Sequence, residues 1–392
     1  MLYYILFIVL TITFFSDCLC IAHEKKTFTQ LSLLNIHNQY RLTKLWSIAI
    51  GHGIAKYYSN LHPICQDTNI FIAHRDGIIK KIDINSGKTI WKIDLSFSIE
   101  GRKLSSSPIL LSGGITFAND KIYIGSELAK VYAICAKTGA VIWKTEVMGE
   151  VLSSPVISNG SVLIHTSTGV FQALNECDGS IQWTVSFDVP LFSLRNKPSP
   201  VKFLDMVLLS HDDGTLSALL LNQGKLLWQQ KITTVNELKQ FFYLNSITTT
   251  PIIINDVVYA QSYNDSLVAL DIYSGQIIWS LKDISSIKNM VAVNFVLYLI
   301  DQNDQIIAVN AHDGAILWKQ DNLLYKELTV PGIYNNYIVI GDRKGYIYLI
   351  DINDGSIFLQ QKICSSEILR SIIVENKCII QLRKNRVYGF LL

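Results

Sequence analysis

The chain has 392 residues, of which 49% are hydrophobic and only 17% are charged. This composition excludes an intrinsically disordered protein, which needs low hydrophobicity and a high net charge. The formal net charge is +2, and no run of five like charges occurs. The sequence therefore lacks the basic stripe with which nucleic-acid-binding proteins neutralise phosphates, and we predict no nucleic-acid partner.

The first 22 residues predict a signal segment for export. Residues 2–15 form an uncharged apolar run, which is shorter than the roughly 20 residues of a membrane-spanning helix and typical of a secretory signal. Two processing routes stay open. Lipoprotein processing would attach lipid to Cys18 or Cys20, whereas ordinary cleavage would cut before His23. Residues 23–40 are interpreted as a linker.

A repeat of about 45 residues runs through the rest of the chain. Each copy reads as a strand, a turn rich in Asp, Asn, Ser and Gly, and a second strand, as in ALDIYSGQIIW and AVNAHDGAILW. Glycine supplies the positive φ that such a turn requires. Seven copies carry a glycine four residues before an aromatic slot: Gly87, Gly139, Gly179, Gly224, Gly275, Gly314 and Gly355. Successive glycines are 39 to 52 residues apart, which matches one four-stranded β-propeller blade.

Tryptophan fills the aromatic slot in six of these copies, and Leu359 fills it in the seventh. A blade cannot bury its faces alone and needs a neighbour on each side. A large aromatic ring between adjacent sheets removes roughly 150–250 Å² from water. We therefore interpret the tryptophans as structural and not as a cofactor cage: Trp46, Trp91, Trp143, Trp183, Trp228, Trp279 and Trp318.

The two ends of the chain predict how the ring closes. Trp46 lies one repeat before Trp91 but has no earlier strands, whereas residues 364–392 offer strands without a tryptophan. The simplest arrangement is that the N-terminal strand completes the C-terminal blade. We therefore predict an all-β fold over residues 41–392, an eight-bladed β-propeller of four-stranded antiparallel blades. Closure removes the free sheet edges that invite aggregation.

Three smaller features accompany the repeat. Proline follows a small or polar residue near most blade starts, as in Ser154-Pro155 and Thr250-Pro251, where it is tolerated at the first residue of a strand. An insertion at 232–248 holds Phe241, Phe242 and Tyr243, and it either forms a partner surface or packs back onto the ring. Five cysteines follow the signal, an odd number without a CxxC motif, and we interpret them as small buried hydrophobes: Cys65, Cys135, Cys177, Cys364 and Cys378.

Catalytic motifs are missing from the sequence. It contains no phosphate-binding glycine-rich loop, no G-x-S-x-G elbow and no H-E-x-x-H zinc motif. The acidic stretches 211–214 and 351–355 coincide with predicted turns, where Asp and Gly are expected. We therefore predict no enzyme activity, no cofactor and no metal.

The repeat A-x-D-x-x-x-G-x-x-x-W resembles the one named for pyrroloquinoline-quinone (PQQ) enzymes, but the non-repeat stretches are more specific. LWSIAIGHG, YYSNLHP, VPLFSLR, LIDQNDQIIAV and DNLLYKELTVPGIY resemble the BamB family of outer-membrane protein assembly factors from about residue 41 to the end. The resemblance implies a scaffold on the periplasmic face of the outer membrane of a Gram-negative bacterium. It also implies lipidation, because family members are typically lipoproteins.

The resemblance implies a partner and a site as well. The partner would be BamA, the barrel-forming subunit of the β-barrel assembly machinery, and nascent outer-membrane proteins are a further possible partner. The family's contact loop corresponds to Phe192, Leu194 and Arg195, with Leu194 filling a pocket and Arg195 pairing with a carboxylate or carbonyl. A strand from the partner could add to a nearby sheet edge. The family's acidic contacts are replaced by Ser246 and Thr248, which puts that part of the contact in doubt.

Two other functions compete with the scaffold. A periplasmic chaperone would use the face of the ring to hold unfolded barrel proteins directly. A quinoprotein dehydrogenase would need a longer chain, a calcium site and a quinone pocket, which the resemblance associates with adjacent cysteines. No two cysteines of this chain are adjacent.

Overall fold

The computed structural model describes residues 41–51, 60–96, 109–191, 193–195, 197–233, 246–263 and 266–392. Within these residues all regular structure is β-strand, and no helix has the length and apolar character needed to cross a bilayer. The signal segment, the linker, Cys18, Cys20, Phe192 and the aromatic insertion Phe241–Tyr243 lie outside the described residues.

The first strand, β1 (Thr43–Ala49), belongs to the last blade. The next four blades follow in chain order, each a four-stranded sheet whose neighbours are antiparallel. Blade 1 contains β2 (Ile64–Gln66), β3 (Asn69–Ala73), β4 (Ile78–Asp83) and β5 (Thr89–Asp94). Blade 2 contains β6 (Leu111–Ala118), β7 (Lys121–Ser126), β8 (Lys130–Cys135) and β9 (Val141–Glu146). Blade 3 contains β10 (Val156–Ser158), β11 (Ser161–His165), β12 (Val170–Asn175) and β13 (Ile181–Ser186). Blade 4 contains β14 (Val201–Phe203), β15 (Met206–Ser210), β16 (Thr215–Leu220) and β17 (Leu226–Lys231).

The remaining blades have the same strand order. Blade 5 contains β18 (Ile252–Ile254), β19 (Val257–Gln261), β20 (Ser266–Asp271) and β21 (Ile277–Lys282). Blade 6 contains β22 (Val291–Val293), β23 (Val296–Ile300), β24 (Ile306–Asn310) and β25 (Ile316–Gln320). Blade 7 contains β26 (Gly332–Tyr334), β27 (Tyr337–Gly341), β28 (Tyr346–Asp351) and β29 (Ile357–Lys362). Blade 8 contains β30 (Ile368–Val374), β31 (Lys377–Leu382) and β32 (Arg386–Leu391), completed by β1.

These eight sheets confirm the predicted propeller, and β1 closes the ring as expected. Trp46 of β1 pairs with Gly389 of β32, where a Cβ atom would lie 2.3 Å from the indole. Closure is also made between blades 7 and 8, since the Gln361 side chain accepts from the Leu42 amide at 2.8 Å and donates to the Leu42 carbonyl at 3.0 Å. The ring is therefore fastened by both main-chain and side-chain hydrogen bonds.

The spacing between glycine and tryptophan has a physical cause in the packing of neighbouring blades. Gly179 of blade 3 has a φ of 76°, and a Cβ there would lie 2.7 Å from the Trp143 ring of blade 2. The same approach recurs at the other repeat glycines, each against the tryptophan of the preceding blade. Glycine is thus required twice, by its φ and by the ring above it. The indole N–H then donates to a main-chain carbonyl of the next blade, as from Trp143 to Glu176 at 3.0 Å.

Two smaller predictions have different outcomes. Proline directly precedes the first strand of five blades, at Pro63, Pro155, Pro200, Pro251 and Pro331. The interpretation of the five cysteines as small buried hydrophobes is confirmed only for Cys378, since Cys65, Cys135 and Cys364 are partly buried and Cys177 is exposed. All five are free thiols, and Cys378 is fully buried in the core. Burial raises the pKa of the Cys378 thiol to about 12.

Because successive strands of a blade run in opposite directions, their turns lie alternately on two faces of the ring. We call upper the face that carries the connections between blades and the turns between second and third strands. The lower face carries the other two turns of each blade, including the glycine turns. β1 begins at the lower face, because Thr43 pairs with Leu391 at the far end of β32.

Candidate functional site

The loop predicted to contact a partner lies on the upper face. It is the connection between β13 and β14, residues 187–200, and we call it the contact loop. Leu194 is half-buried and lines the cavity at the mouth of the central channel. The Arg195 side chain is 47% exposed. Phe192 lies outside the described residues, so the structure places two of the three predicted contact residues.

Buried contacts fasten this loop to blade 4. Lys197 and Asp212 form an ion pair whose side chains are 5% and 9% exposed. Asp212 lies on the turn after β15, and its main-chain carbonyl accepts a hydrogen bond from the Ser246 hydroxyl at 3.1 Å. The end of the contact loop is therefore held in the protein interior only two residues after Arg195.

A charged network fixes Arg195 itself. One carboxylate, Glu127, is shared by two arginines: its Oε2 lies 2.8 Å from Nη2 of Arg195 and 2.8 Å from Nη2 of Arg75. Arg75 also donates from Nε to Oε1 at 3.0 Å, which completes a bidentate pair. Glu150 lies 3.6 Å from Nη1 of Arg195. We call Arg75, Glu127, Glu150 and Arg195 the arginine network; its members come from turns and connections between blade 1 and blade 4.

Exposed apolar side chains lie close in sequence to members of the arginine network, on turns and connections of the same upper face. We call them the apolar patch: Leu128 beside Glu127, Met148 beside Glu150, and Val189 and Leu191 in the contact loop. Leu191 is 95% exposed and Met148 is 59% exposed. Large apolar side chains next to an ordered arginine are typical of protein-binding surfaces, where aromatic residues, methionine and arginine are enriched.

Most of the arginine network was not predicted from the sequence. Glu127 is 52 residues from Arg75 and 68 from Arg195, so no local motif joins them. The sequence does carry a periodic signal for other ion pairs on this face. Ion pairs between the connection entering a blade and its central turn recur 15 or 16 residues apart, at Lys197–Asp212, Lys288–Asp304, Glu327–Arg343 and Glu367–Arg383. Aligning the blade sequences therefore places these charged residues at equivalent positions on the upper face.

A cavity of about 820 Å³ opens at the mouth of the central channel. Its lining contains charges of both signs. The basic residues include Lys288, Arg370 and Arg383, and the acidic residues are Asp301, Glu327 and Glu367. Leu194 and Arg195 line the same cavity. The contact loop therefore lies at the edge of this cavity.

Ser246 and Thr248 do not present their side chains to a partner. Each is only 1% exposed. Ser246 donates to Asp212 as described above, and the Thr248 hydroxyl donates to the Ser286 carbonyl at 2.9 Å. Both residues therefore support the inside of the upper face instead of extending the contact surface.

Two buried histidines lie beneath the contact loop. The rings of His165 and His211 are 6.0 Å apart, and Phe187 at the start of the loop lies 4.5 Å from the His211 ring. Burial lowers the pKa of His165 to about 3 and that of His211 to about 4. The imidazole of His211 contacts the Ser217 hydroxyl at 2.8 Å. Both rings are therefore neutral at neutral pH.

We expect these histidines to make folding sensitive to acid. Because both pKa values are lower in the folded state than the usual 6.5, the unfolded chain binds more protons below that pH. Their contribution to stability is complete above pH 6.5 and declines towards pH 4. At pH 5 the loss is about 2 kcal/mol for each histidine. Urea unfolding at pH 7 and pH 5 measures it, and His165→Leu should reduce the difference by about 2 kcal/mol; an unchanged difference would contradict the assignment.

The described residues contain no group of three His, Cys, Asp or Glu side chains able to hold a metal ion. The closed ring of blades, each joined to the next by its glycine turn and aromatic ring, defines a β-propeller of the PQQ-like repeat class. This architecture also occurs in enzymes: a europium-containing methanol dehydrogenase has a TM-score of 0.71 and 13% identity, with 91% of this chain and 95% of that chain covered. The fold alone therefore does not establish the function.

Sequence comparisons establish the family. Residues 75–320 match the family model described as outer membrane protein assembly factor BamB. BamB from Yersinia pestis is 41% identical over 97% of this chain and 96% of its own length. The crystal structure of BamB from Moraxella catarrhalis has a TM-score of 0.77 at 22% identity, covering 90% of this chain and all of that one. The chain belongs to the BamB family of outer membrane protein assembly factors, and it is not an enzyme.

Proposed function

We propose that the chain is a scaffold of the outer-membrane β-barrel assembly machinery, and that it binds the periplasmic domains of the barrel-forming subunit BamA. The observation that carries this proposal is the arrangement of Arg195: a half-exposed arginine held by an ion pair with Glu127, four residues after Leu191, which is 95% exposed. Bound to the partner, this chain would help barrel proteins to fold and insert without performing chemistry itself.

Recognition would use both halves of this surface. Glu127 holds Arg195 in place before the partner arrives, which lowers the entropy cost of binding. A guanidinium has five N–H donors, so Arg195 can donate to a partner carboxylate or main-chain carbonyl while it keeps its bond to Glu127. The apolar patch would bury Leu191 and Met148 against the partner. The outer strand of blade 3, β13, leads into the contact loop and offers an edge for strand addition.

The geometry is compatible with a membrane-anchored protein. We propose that residues 1–22 direct export, that lipid on Cys18 or Cys20 attaches the chain to the inner leaflet of the outer membrane, and that residues 23–40 form a linker. β1 begins at the lower face, whereas the contact loop is on the upper face.

A chaperone function is the second candidate, because the cavity of about 820 Å³ at the channel mouth is large enough for a segment of unfolded chain. Because its lining carries both positive and negative charges, the cavity would not select a bound segment by the sign of its charge. Binding of an unfolded barrel protein in the absence of BamA would favour this function over the scaffold.

Binding of the purified protein to the periplasmic domains of BamA tests the scaffold. Arg195→Ala should weaken binding at least about tenfold, because truncating a central interface arginine typically costs 2 kcal/mol or more. The matched control is Arg343→Ala, since Arg343 is also exposed, also paired with a glutamate and on the same face. Equal losses for both variants, or no binding by the unmodified protein, would contradict the proposal.

A further inference from the structure

A second cavity, of about 350 Å³, lies on the lower face between blades 3 and 4, far from the contact loop. We call it the blade 3–4 groove, and its lining consists of Ser158, Asn159, Ser161, Gln182, Trp183, Leu221 and Asn222. No lining residue is charged, and five of the seven carry an uncharged hydroxyl or amide group. This composition differs from that of the channel mouth, which is rich in ions.

Small polar residues stand in this groove at positions where the neighbouring groove has an aromatic pair. In the next groove along the ring, between blades 4 and 5, Phe203 contacts Tyr273 edge-on with ring centroids 6.3 Å apart. Ser158 is the blade 3 counterpart of Phe203, since each ends the first strand of its blade. Asn222 is the counterpart of Tyr273, since each stands two residues before the repeat glycine. Small polar side chains thus take the place of both rings in this groove.

Two polar groups at this groove are without partners. The indole N–H of Trp46, Trp91, Trp143, Trp228, Trp279 and Trp318 donates to a main-chain carbonyl of the following blade. Among the described residues, Trp183 alone of the seven has no such acceptor. Ser158 is 5% exposed, and its hydroxyl has no hydrogen-bond partner. Buried polar groups are normally satisfied, so the Ser158 hydroxyl calls for an explanation, whereas the Trp183 N–H is accessible from the groove.

The blade 4 turn, which lies beside Trp183, differs in sequence from the blade 5 turn. In blade 5, Asp271 begins the turn, and its carboxylate accepts from the Ser274 amide at 2.8 Å. Leu220 occupies this position in blade 4 and has no side-chain acceptor. The turn that should offer a carbonyl to Trp183 therefore lacks the side-chain hydrogen bond that shapes its counterpart.

We propose that the blade 3–4 groove binds an uncharged sugar of the N-acetylhexosamine type. The uncharged lining excludes a strongly ionic ligand, because nothing in it would compensate the charge. The Trp183 N–H would donate to a ring hydroxyl or an acetamido oxygen of the sugar. The amides of Asn159 and Asn222 can each donate and accept. A volume of about 350 Å³ is within the range of small-molecule pockets.

Nuclear magnetic resonance of the indole N–H groups in the purified full chain tests this site. Trp183→Phe assigns the Trp183 signal, which is then followed during titration with N-acetylglucosamine and with its β-1,4-linked tetramer. We expect this signal to shift at millimolar sugar while the other six stay in place. A tetramer that binds at least tenfold more tightly would identify a glycan chain as the source, and equal affinities would identify a free sugar.

The control fills the groove with the aromatic pair of its neighbour. The double variant Ser158→Phe, Asn222→Tyr should retain its thermal unfolding transition, since blades 4 and 5 accommodate the same pair, and it should lose the sugar response of Trp183. No shift of the Trp183 signal up to about 20 mM of either sugar would overturn the proposal. An equal response in the filled variant would overturn it too, because the sugar would then bind elsewhere.

Discussion

Trp143→Ala should destabilise the propeller by about 3–5 kcal/mol, the range for truncating a buried aromatic residue. Trp143 is 7% exposed, packs against Tyr123 at 6.0 Å between ring centroids, and bears on Gly179 of the next blade. Its loss would leave a cavity between two blades that the rigid sheets cannot close. It would also remove the hydrogen bond to Glu176 that joins those blades.

The control for this substitution is the preceding residue. Ile142 is on the same strand but is 44% exposed on the outer edge of the blade. Ile142→Ala should therefore cost less than about 1 kcal/mol. Urea unfolding followed by circular dichroism measures both variants. Similar losses for the two residues would mean that tryptophan does not fasten one blade to the next.

Glu127→Ala should reduce both stability and partner binding. The Glu127 side chain is 9% exposed and compensates two guanidinium groups, of which Arg75 is 14% exposed. Removing one partner of a buried ion pair costs about 3–5 kcal/mol, because the remaining charge is left without compensation. Arg195→Ala should cost less than about 1 kcal/mol of stability, since Arg195 is half-exposed and solvent screens its charge.

The two variants thus separate stability from recognition. Both should weaken binding to the periplasmic domains of BamA, but only Glu127→Ala should lower the urea midpoint strongly. Glu146→Ala is the control, because Glu146 is 80% exposed and 3.8 Å from Lys130 in the same blade; we expect little change in either property. If Glu127→Ala retained full binding, the positioning of Arg195 by Glu127 would be refuted.

The fold was largely predictable because the same packing contact joins each blade to the next. Each blade must place glycine under the ring of its neighbour, so Gly179 and Trp143 recur in sequence as they recur in space. The closing strand was predictable for the same reason, since Trp46 keeps the repeat interval. The central turns of the blades repeat less strictly, because those of blades 4, 6, 7 and 8 carry an ion pair to the preceding connection, whereas Glu127 in blade 2 contacts arginines from elsewhere in the ring.

The candidate site was only partly predictable. The role of Leu194 and Arg195 was predicted from the resemblance to the BamB family. The sequence itself offered no reason for the orientation of the Arg195 side chain. That orientation depends on Glu127, which approaches from a different blade. The burial of Ser246 and Thr248 was equally hidden, because a short polar side chain suits a turn surface and a buried hydrogen bond alike.

The most direct test of the central claim is site-specific photo-cross-linking in cells between this chain and BamA. A photoreactive residue at Leu191 or Met148, both in the apolar patch, should cross-link to the periplasmic domains of BamA. The control position is Leu204, which is 65% exposed but lies on a turn of the lower face. Cross-links from Leu191 and Met148 without one from Leu204 are the predicted result. Cross-links from Leu204 alone would contradict the assignment of the binding surface to the upper face.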